Sequence, residues 1–345
     1  MEMLARRVAA QGLAERRWDT LDVLRTWTIQ DSPPGAAAAA IAARAEEVRL
    51  QEALEARAAV AMYNARTATA IVPADEVAAF ATALLPRGDA ALQAVLGQAL
   101  PGRTEGFEEP VALAVDAISD ALDGRVLSRD DLHEELRRRL PEEMLPWCEG
   151  CRSHHARRGL LVMAGLHGRL SIAGRAGRQP AFARTDQVVG FQPPPREEAG
   201  AELVKRFRTA YPGATRAGFA AWANLGTAHA RELWELAGDE PPPADPQPAR
   251  GTRLLAPGDP LLLARDREVL APDEDLRRRL FRPAGAPGLV LVDGRPAGLW
   301  RSRKAGTRLA LTVEQLAGLD RDAVAEEAQR LAPLRGCRTA EVEWG

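Results

Sequence analysis

The segment from Thr215 to Leu236 constrains the fold most strongly, because it predicts two short helices joined by a tight turn. Thr215 is a suitable N-cap for the first helix, since its hydroxyl can accept a hydrogen bond from a free helical N–H. Gly226 can adopt the positive φ that a helix end requires, and Thr227 then begins a second helix with apolar residues at helical spacing. This pattern is a helix-turn-helix, which places a helix in the major groove of DNA.

The composition predicts a protein of several modules with no overall positive charge. The chain has 345 residues and a net charge of −2, so any DNA contact must come from a local basic stripe. Residues 1–30 are charged throughout, and no apolar run approaches the roughly 18 residues of a membrane span. Three cysteines are too few for a disulfide scaffold. We therefore expect a cytoplasmic protein with no membrane contact.

The punctuation of the chain predicts an α+β protein of three successive modules, with a winged helix in the second and a helix-turn-helix in the third. A small C-terminal β-barrel, or a sheet with a helix across it, is predicted to follow. The predicted modules are residues 1–90, residues 91–190, and residues 191–250 including the Pro-rich linker from Asp239 to Pro248. The barrel is predicted over residues 251–345, where Leu261–Leu263 and several later apolar runs resemble strands. Asp293-Gly294 lies between two of these runs and predicts a type I′ hairpin.

The second module ends in a predicted β-hairpin that would form the wing. Short strands at residues 170–172 and 181–183 flank a Gly- and Arg-rich connection, after the helical residues 159–168. The arginines that could meet phosphates along this wing are Arg169, Arg175, Arg178 and Arg184. The alternative is an ordinary solvated hairpin.

Five segments together resemble the AlkZ/YcaQ family of bacterial winged-helix DNA glycosylases, over most of residues 15–315. They are WTIQDSPPG at 27–35, ARTATAIVPAD at 65–75, CEGCRSHH at 148–155, RTAYPGATRAGFAAWANL at 208–225 and LVLVDGRPAGLWRSR at 289–303. The resemblance implies three tandem winged-helix modules around a DNA channel, followed by a C-terminal β-barrel. It also implies a monomer that binds double-stranded DNA and hydrolyses the N-glycosidic bond of alkylated or crosslinked purines, in repair or in self-resistance to a genotoxin.

The resemblance also implies where catalysis occurs. The family carries two glutamines one residue apart, and the second corresponds to Gln30, whereas Thr28 stands in place of the first. Hydrolysis passes through an oxocarbenium-like state, so the site needs an oriented water more than an acid. Gln30 could place that water, Asp31 could accept its proton, and the Thr28 hydroxyl could bond it. The alternatives are that Asp31 caps the following helix and Gln30 bonds backbone, in a DNA-binding protein without catalysis, such as a lesion sensor or regulator.

Other side chains leave two interpretations open. Cys148, Cys151, His154 and His155 could bind zinc, but we predict buried thiols, with His154 or His155 near DNA. We therefore predict no metal and no cofactor, and a Schiff-base route is disfavoured because the chain has only two lysines. Arg66 matches a family arginine and would contact either a phosphate or a neighbouring carboxylate. Trp27 would either stack on a base or fill the core.

Overall fold

The computed structural model describes residues 2–64, 66, 68–177, 179–239 and 248–345, so most of the predicted linker lies outside the described residues. Its helices are α1 (Glu2–Ala10), α2 (Thr20–Thr26), α3 (Ala36–Ala42), α4 (Leu50–Glu55), α5 (Val77–Leu84), α6 (Asp89–Leu96), α7 (Glu108–Ala121), α8 (Arg129–Arg139), α9 (Arg158–Leu166), α10 (Thr185–Val188), α11 (Arg196–Ala210), α12 (Arg216–Ala223), α13 (Thr227–Leu236), α14 (Glu274–Leu280) and α15 (Arg321–Leu334). Its strands are β1 (Ile29–Gln30), β2 (Ala59–Tyr63), β3 (Thr69–Pro73), β4 (Leu127–Ser128), β5 (Trp147–Cys148), β6 (Ser153–His154), β7 (Ser171–Ala176), β8 (Gln179–Ala183), β9 (Thr252–Leu255), β10 (Gly288–Val292), β11 (Arg295–Ala305), β12 (Arg308–Gln315) and β13 (Thr339–Trp344).

The chain divides into two compact units. The first comprises Met1–Gln51, Lys205–Gly218 and Glu240–Gly345, and the second comprises Glu52–Val204 and Phe219–Asp239. Both units are therefore discontinuous in sequence. The mixture of helices and sheets confirms the α+β class, whereas the predicted division into four modules stays a prediction.

The first unit is built on a sheet with the strand order β13-β12-β11-β10-β9. β12 and β13 are parallel and the other neighbours are antiparallel. Asp293 and Gly294 connect β10 to β11 with φ of 49° and 74°, which confirms the predicted type I′ turn. The sheet alternates residues between its two faces: Val290 lies in one apolar cluster, while Leu289 and Leu291 lie in another.

Helices supply apolar residues to both of these clusters. Val324, Ala328 and Leu331 of α15 pack in the cluster that contains Val290. Val8 of α1 and Leu280 of α14 belong to the opposite cluster. Burial of both faces explains why the strands are apolar on consecutive residues rather than alternating with polar ones.

The prediction of a closed C-terminal barrel is wrong, because the sheet of the described residues is open. The alternative, a sheet with a helix across it, agrees with the packing of α15. β9 and β13 are its two edges, and helices cover the faces that closure would otherwise protect. Leu261–Leu263 is likewise not a strand. It lies in a 3₁₀ turn, Pro260–Leu263, that begins when the side chain of Asp259 accepts a hydrogen bond from the Leu261 N–H.

The second unit contains a sheet that runs β3-β2-β7-β8-β4. β7 and β8 form the predicted antiparallel hairpin, and Leu127 of β4 pairs with Phe182 of β8. α7 packs against both α8 and α9. The order along this segment is α7, β4, α8, β5, β6, α9, β7 and β8, so the β7–β8 hairpin follows three helices and the short β5–β6 hairpin.

The predicted helix-turn-helix forms at α12 and α13, with one correction in the turn. The hydroxyl of Thr215 accepts a hydrogen bond from the Gly218 N–H at 3.1 Å, as its prediction as an N-cap requires. The residue with positive φ is Asn224, at 55°, whereas Gly226 has φ −61° and begins α13 as its N-cap. Asparagine tolerates the left-handed region because its short polar side chain can bond locally.

None of the described helices is long and apolar enough to cross a membrane.

Candidate functional site

Trp27 precedes the segment that contains the predicted catalytic residues, and it belongs to the core. Only 2% of its surface is exposed. Its Nε1 donates to the carbonyl of Ala10 at 3.0 Å, and its ring meets Trp18 edge-on at 5.1 Å. The guanidinium of Arg44 lies 5.2 Å from the ring centroid on another side. The core interpretation of Trp27 is therefore correct.

The extended chain after Trp27 places Thr28 and Gln30 on the same side. Ile29 is completely buried between them, while Thr28 and Gln30 are partly exposed, and successive residues of a strand point to opposite faces. The Nε2 of Gln30 donates to the carbonyl of Ser32 at 3.1 Å. The alternative prediction, that Gln30 bonds the backbone, is therefore confirmed. The contact also fixes the orientation of the side-chain amide.

Asp31 caps the start of α3. Its Oδ1 accepts hydrogen bonds from the backbone N–H of Gly35 at 2.8 Å and of Ala37 at 3.0 Å. The partial positive charge at a helix N-terminus stabilises a carboxylate in this position. Within the described residues Oδ2 has no hydrogen-bond partner, so one oxygen of Asp31 holds the helix while the other remains able to accept a proton.

The backbone of Gly258 lies close to Gln30 and Ser32. Its φ is +88°, and a Cβ at this position would lie 2.8 Å from the carbonyl oxygen of Ser32 and 3.9 Å from Nε2 of Gln30. A side chain therefore cannot occupy this position without displacing the segment. The next residue, Asp259, is fully buried and forms an ion pair with Arg44 at 2.8 Å. Sequence reasoning missed both residues, because nothing local at 258–259 signals a contact with residues 30–44.

The predicted wing arginines have different surroundings. Arg169 and Arg184 both bond Asp186, and Arg184 also bonds Asp123 at 2.9 Å. The hydrogen bonds that Arg184 donates to Asp186 are the largest cause that raises the pKa of Arg184. These carboxylates offset the charge that phosphate binding would use. Arg175 is exposed on β7, and Arg178 lies outside the described residues.

Arg66 lies beside the helix-turn-helix. Its guanidinium carbon is 5.9 Å from the ring centroid of Trp222 in α12, which is a cation–π distance. Its backbone N–H donates to the side chain of Asn64 at 3.0 Å. Arg66 therefore contacts the ring of Trp222, and its predicted contact with a phosphate or a carboxylate stays a prediction.

The cysteines and histidines of residues 148–155 converge at one hairpin. The ligand atoms of Cys148, Cys151 and His155 all lie within 4.8 Å of one another. Cys148 is partly exposed and Cys151 exposed, so the prediction of buried thiols is wrong for this pair. The hydrogen bond from the backbone N–H of Cys151 is the largest cause that lowers the pKa of Cys148 to about 6. His154 is exposed and lies outside this group, with its Nδ1 2.8 Å from the carbonyl of Leu145.

Two histidines outside this hairpin, His133 and His229, are buried. His133 and His229 each retain a buried Nδ1 that lacks a hydrogen-bond partner in the described part of the chain. Nε2 of His229 lies 2.5 Å from a guanidinium nitrogen of Arg196. Burial is the largest cause that lowers the pKa of His229 to about 4, and Arg196 and Arg87 add to it.

A cavity of about 680 Å³ adjoins His229 on α13. Its basic lining residues are Arg87, Arg196 and Arg231, and its acidic ones are Glu232 and Glu235. Sequence reasoning did not find this cavity, because Arg87 and Arg196 are far apart along the chain and only the fold brings them together.

Comparisons with a family model and with solved structures each found a match. A family model described as DNA glycosylase AlkZ-like matches residues 23–334. The solved structure of Streptomyces sahachiroi DNA glycosylase AlkZ is similar to the chain with a TM-score of 0.71 at 20% sequence identity. That alignment covers 100% of this chain and 98% of the other. At this identity the structural likeness shows a shared fold. No match was found among curated proteins.

Proposed function

Because the chain belongs to the AlkZ-like DNA glycosylase family, we propose that it binds double-stranded DNA and hydrolyses the N-glycosidic bond of alkylated or crosslinked purines. It would do so as a cytoplasmic monomer, in DNA repair or in self-resistance to a genotoxin. An alkylated purine carries positive charge on its ring and leaves readily, so the enzyme has to supply an oriented water and electron-rich oxygens near the sugar.

The observation that carries the proposal is the arrangement of Thr28, Gln30 and Asp31. Thr28 and Gln30 share one side of an extended segment, so the Thr28 hydroxyl occupies the side on which the family's first glutamine would lie. Gln30 is held by Ser32, which limits its rotamers and favours a defined water position. Asp31 retains one oxygen for the proton that this water releases.

DNA binding would use winged-helix modules, which we propose for the segment from α7 to β8 and for α12 with α13. Three helices, α7, α8 and α9, precede the β7–β8 hairpin, and β4 pairs with β8, which supports this organisation for the first of them. Among the described residues, Arg175 is the exposed one of the predicted wing arginines. Contacts to phosphates would make the affinity fall as salt rises.

The test is base release from duplex DNA that carries 7-methylguanine or a nitrogen-mustard crosslink, with abasic sites revealed by alkali. We expect wild type to release base, Gln30→Ala to lose release, and Gln93→Ala, a change at an exposed glutamine on α6, to match wild type. Loss of about 100-fold or more fits removal of a group that positions the attacking water.

Absence of release from every alkylated substrate, with binding to the same DNA retained, would instead support the alternative, a winged-helix DNA-binding protein without catalysis. Thr28→Gln sharpens this test because it restores the pair of glutamines. Gain of excision in this variant would show that the scaffold is competent and that Thr28 limits the rate. Light scattering of the free protein checks the proposed monomer.

A further inference from the structure

The hairpin of β5 and β6 brings together groups that the proposed DNA chemistry does not use. Cys148 pairs with Ser153 across the two strands, and the intervening turn contains Arg152 at φ 51°. His155 lies two residues after Ser153, so it follows on the same side of the hairpin as Cys148. The turn returns Cys151 towards the same point. The Cys-x-x-Cys pair and the histidine are therefore assembled by strand register.

The ligand atoms of these three residues are close to the separation that one metal ion needs. They lie within 4.8 Å of one another. Zinc bonds thiolate sulfur at about 2.3 Å and imidazole nitrogen at about 2.0 Å, so small side-chain rotations would bring all three onto one ion.

The histidine is prepared as a ligand. Nδ1 of His155 lies 2.8 Å from the carbonyl of Ala156, and this contact requires a proton on Nδ1. Nε2 then carries the lone pair, and within the described residues this buried atom has no hydrogen-bond partner. Metal-bound histidines characteristically use the second ring nitrogen in this way, because the bond fixes the tautomer and the ring orientation.

The buried ring of His133 packs against the ring of His155. The centroid of the His133 ring is 4.5 Å from that of His155, and only 7% of His133 is exposed. His133 belongs to α8, so this contact anchors the hairpin site to the helical part of the second unit. Cys151, in contrast, is exposed and leaves the other side of the group open to solvent.

We propose that Cys148, Cys151 and His155 bind one zinc ion, with water in a fourth position on the exposed side. Two thiolates and one imidazole are a ligand set that selects zinc over magnesium or calcium, which prefer oxygen. The ion would tie the turn between β5 and β6 to the segment that begins α9. This proposal does not depend on the glycosylase activity and replaces the prediction that the chain binds no metal.

The experiment is metal analysis of protein purified under reducing conditions without chelators. We expect about one zinc per chain. Replacement by Co²⁺ should produce the charge-transfer absorption of a cobalt–thiolate bond. Cys148→Ser, Cys151→Ser and His155→Asn should each lower the metal content at least about five-fold, because one of three ligands is lost.

Two matched variants serve as controls. His154→Asn changes the neighbouring histidine outside the group, and Cys337→Ala removes a buried thiol of the first unit, so both should retain the metal. If a ligand variant fails to fold, titration of reduced wild-type apoprotein with Co²⁺ still decides the matter. Absence of both zinc and the cobalt–thiolate band would overturn the proposal, as would a Cys148–Cys151 disulfide that persists without metal.

Discussion

Asp31 allows its two possible roles to be separated by substitution. As a cap, it accepts hydrogen bonds from the backbone N–H groups of Gly35 and Ala37. Ala37 is completely buried. Without an acceptor, the buried N–H of Ala37 would be left unbonded, which costs roughly 1 to 3 kcal/mol. We expect Asp31→Ala to destabilise α3 by about 2 kcal/mol in total, since the lost cap for Gly35 adds to this term.

Asp31→Asn keeps an oxygen acceptor at the same position but cannot take up a proton from water. The loss of charge beside the helix N-terminus should cost less than about 1 kcal/mol. If Asp31 is the proton acceptor, base release by this variant should fall about 100-fold or more, the usual contribution of a general base. We therefore expect Asp31→Asn to release base much more slowly than wild type while its free energy of unfolding changes little.

The stability readout should be local, because a chain with two compact units need not unfold in one step. Hydrogen exchange of peptides that cover residues 31–45 reports the opening of α3 directly. Single-turnover base release under the same conditions gives the kinetic half of the comparison. Asp31→Asn with activity within about three-fold of wild type, together with a destabilised Asp31→Ala, would refute the role as a base and leave only the cap.

Three further predictions concern the packing around these sites. Asp259→Ala should lower the free energy of urea unfolding by about 3 to 5 kcal/mol, because it leaves the buried guanidinium of Arg44 without its ion-pair partner. Adding Arg44→Met to this variant should recover part of the loss, although the backbone hydrogen bonds of Arg44 are also removed. A loss below about 1 kcal/mol would contradict the ion-pair argument. His229 has a pKa of about 4 in the folded protein, against 6.5 for an ordinary histidine. Between pH 6.5 and 4 the unfolded chain therefore binds more protons than the folded chain. The free energy of unfolding should fall by about 2 kcal/mol as the pH drops through this range, after allowance for solvent screening. His229→Gln should remove this part of the slope, and an unchanged slope would refute the assignment. Gly258→Ala should reduce both base release and protection of residues 28–37 from hydrogen exchange, because its Cβ meets the Ser32 carbonyl; protection equal to wild type would contradict this.

The sequence alone determined the features that depend on neighbouring residues. The helix-turn-helix at α12 and α13, the cap at Thr215 and the turn at Asp293-Gly294 follow from side chains within a few positions of each other. Such features are set by local φ and ψ preferences and by local hydrogen bonds, so they can be predicted without the fold. The family resemblance was also correct, because it summed several local segments.

Features that depend on residues far apart in the chain could be seen only in the folded protein. The open sheet could not be distinguished from a barrel in the sequence, because closure depends on which edges pair and on the helices that cover the faces. The Asp186 and Asp123 contacts of the wing arginines and the burial of His229 beside Arg196 likewise join separate segments. The convergence of Cys148, Cys151 and His155 depends on hairpin register, and a shift of one residue would turn His155 to the other face. Local propensities fix the turns and caps, whereas long-range packing and register select the electrostatic partners and the ligand groups.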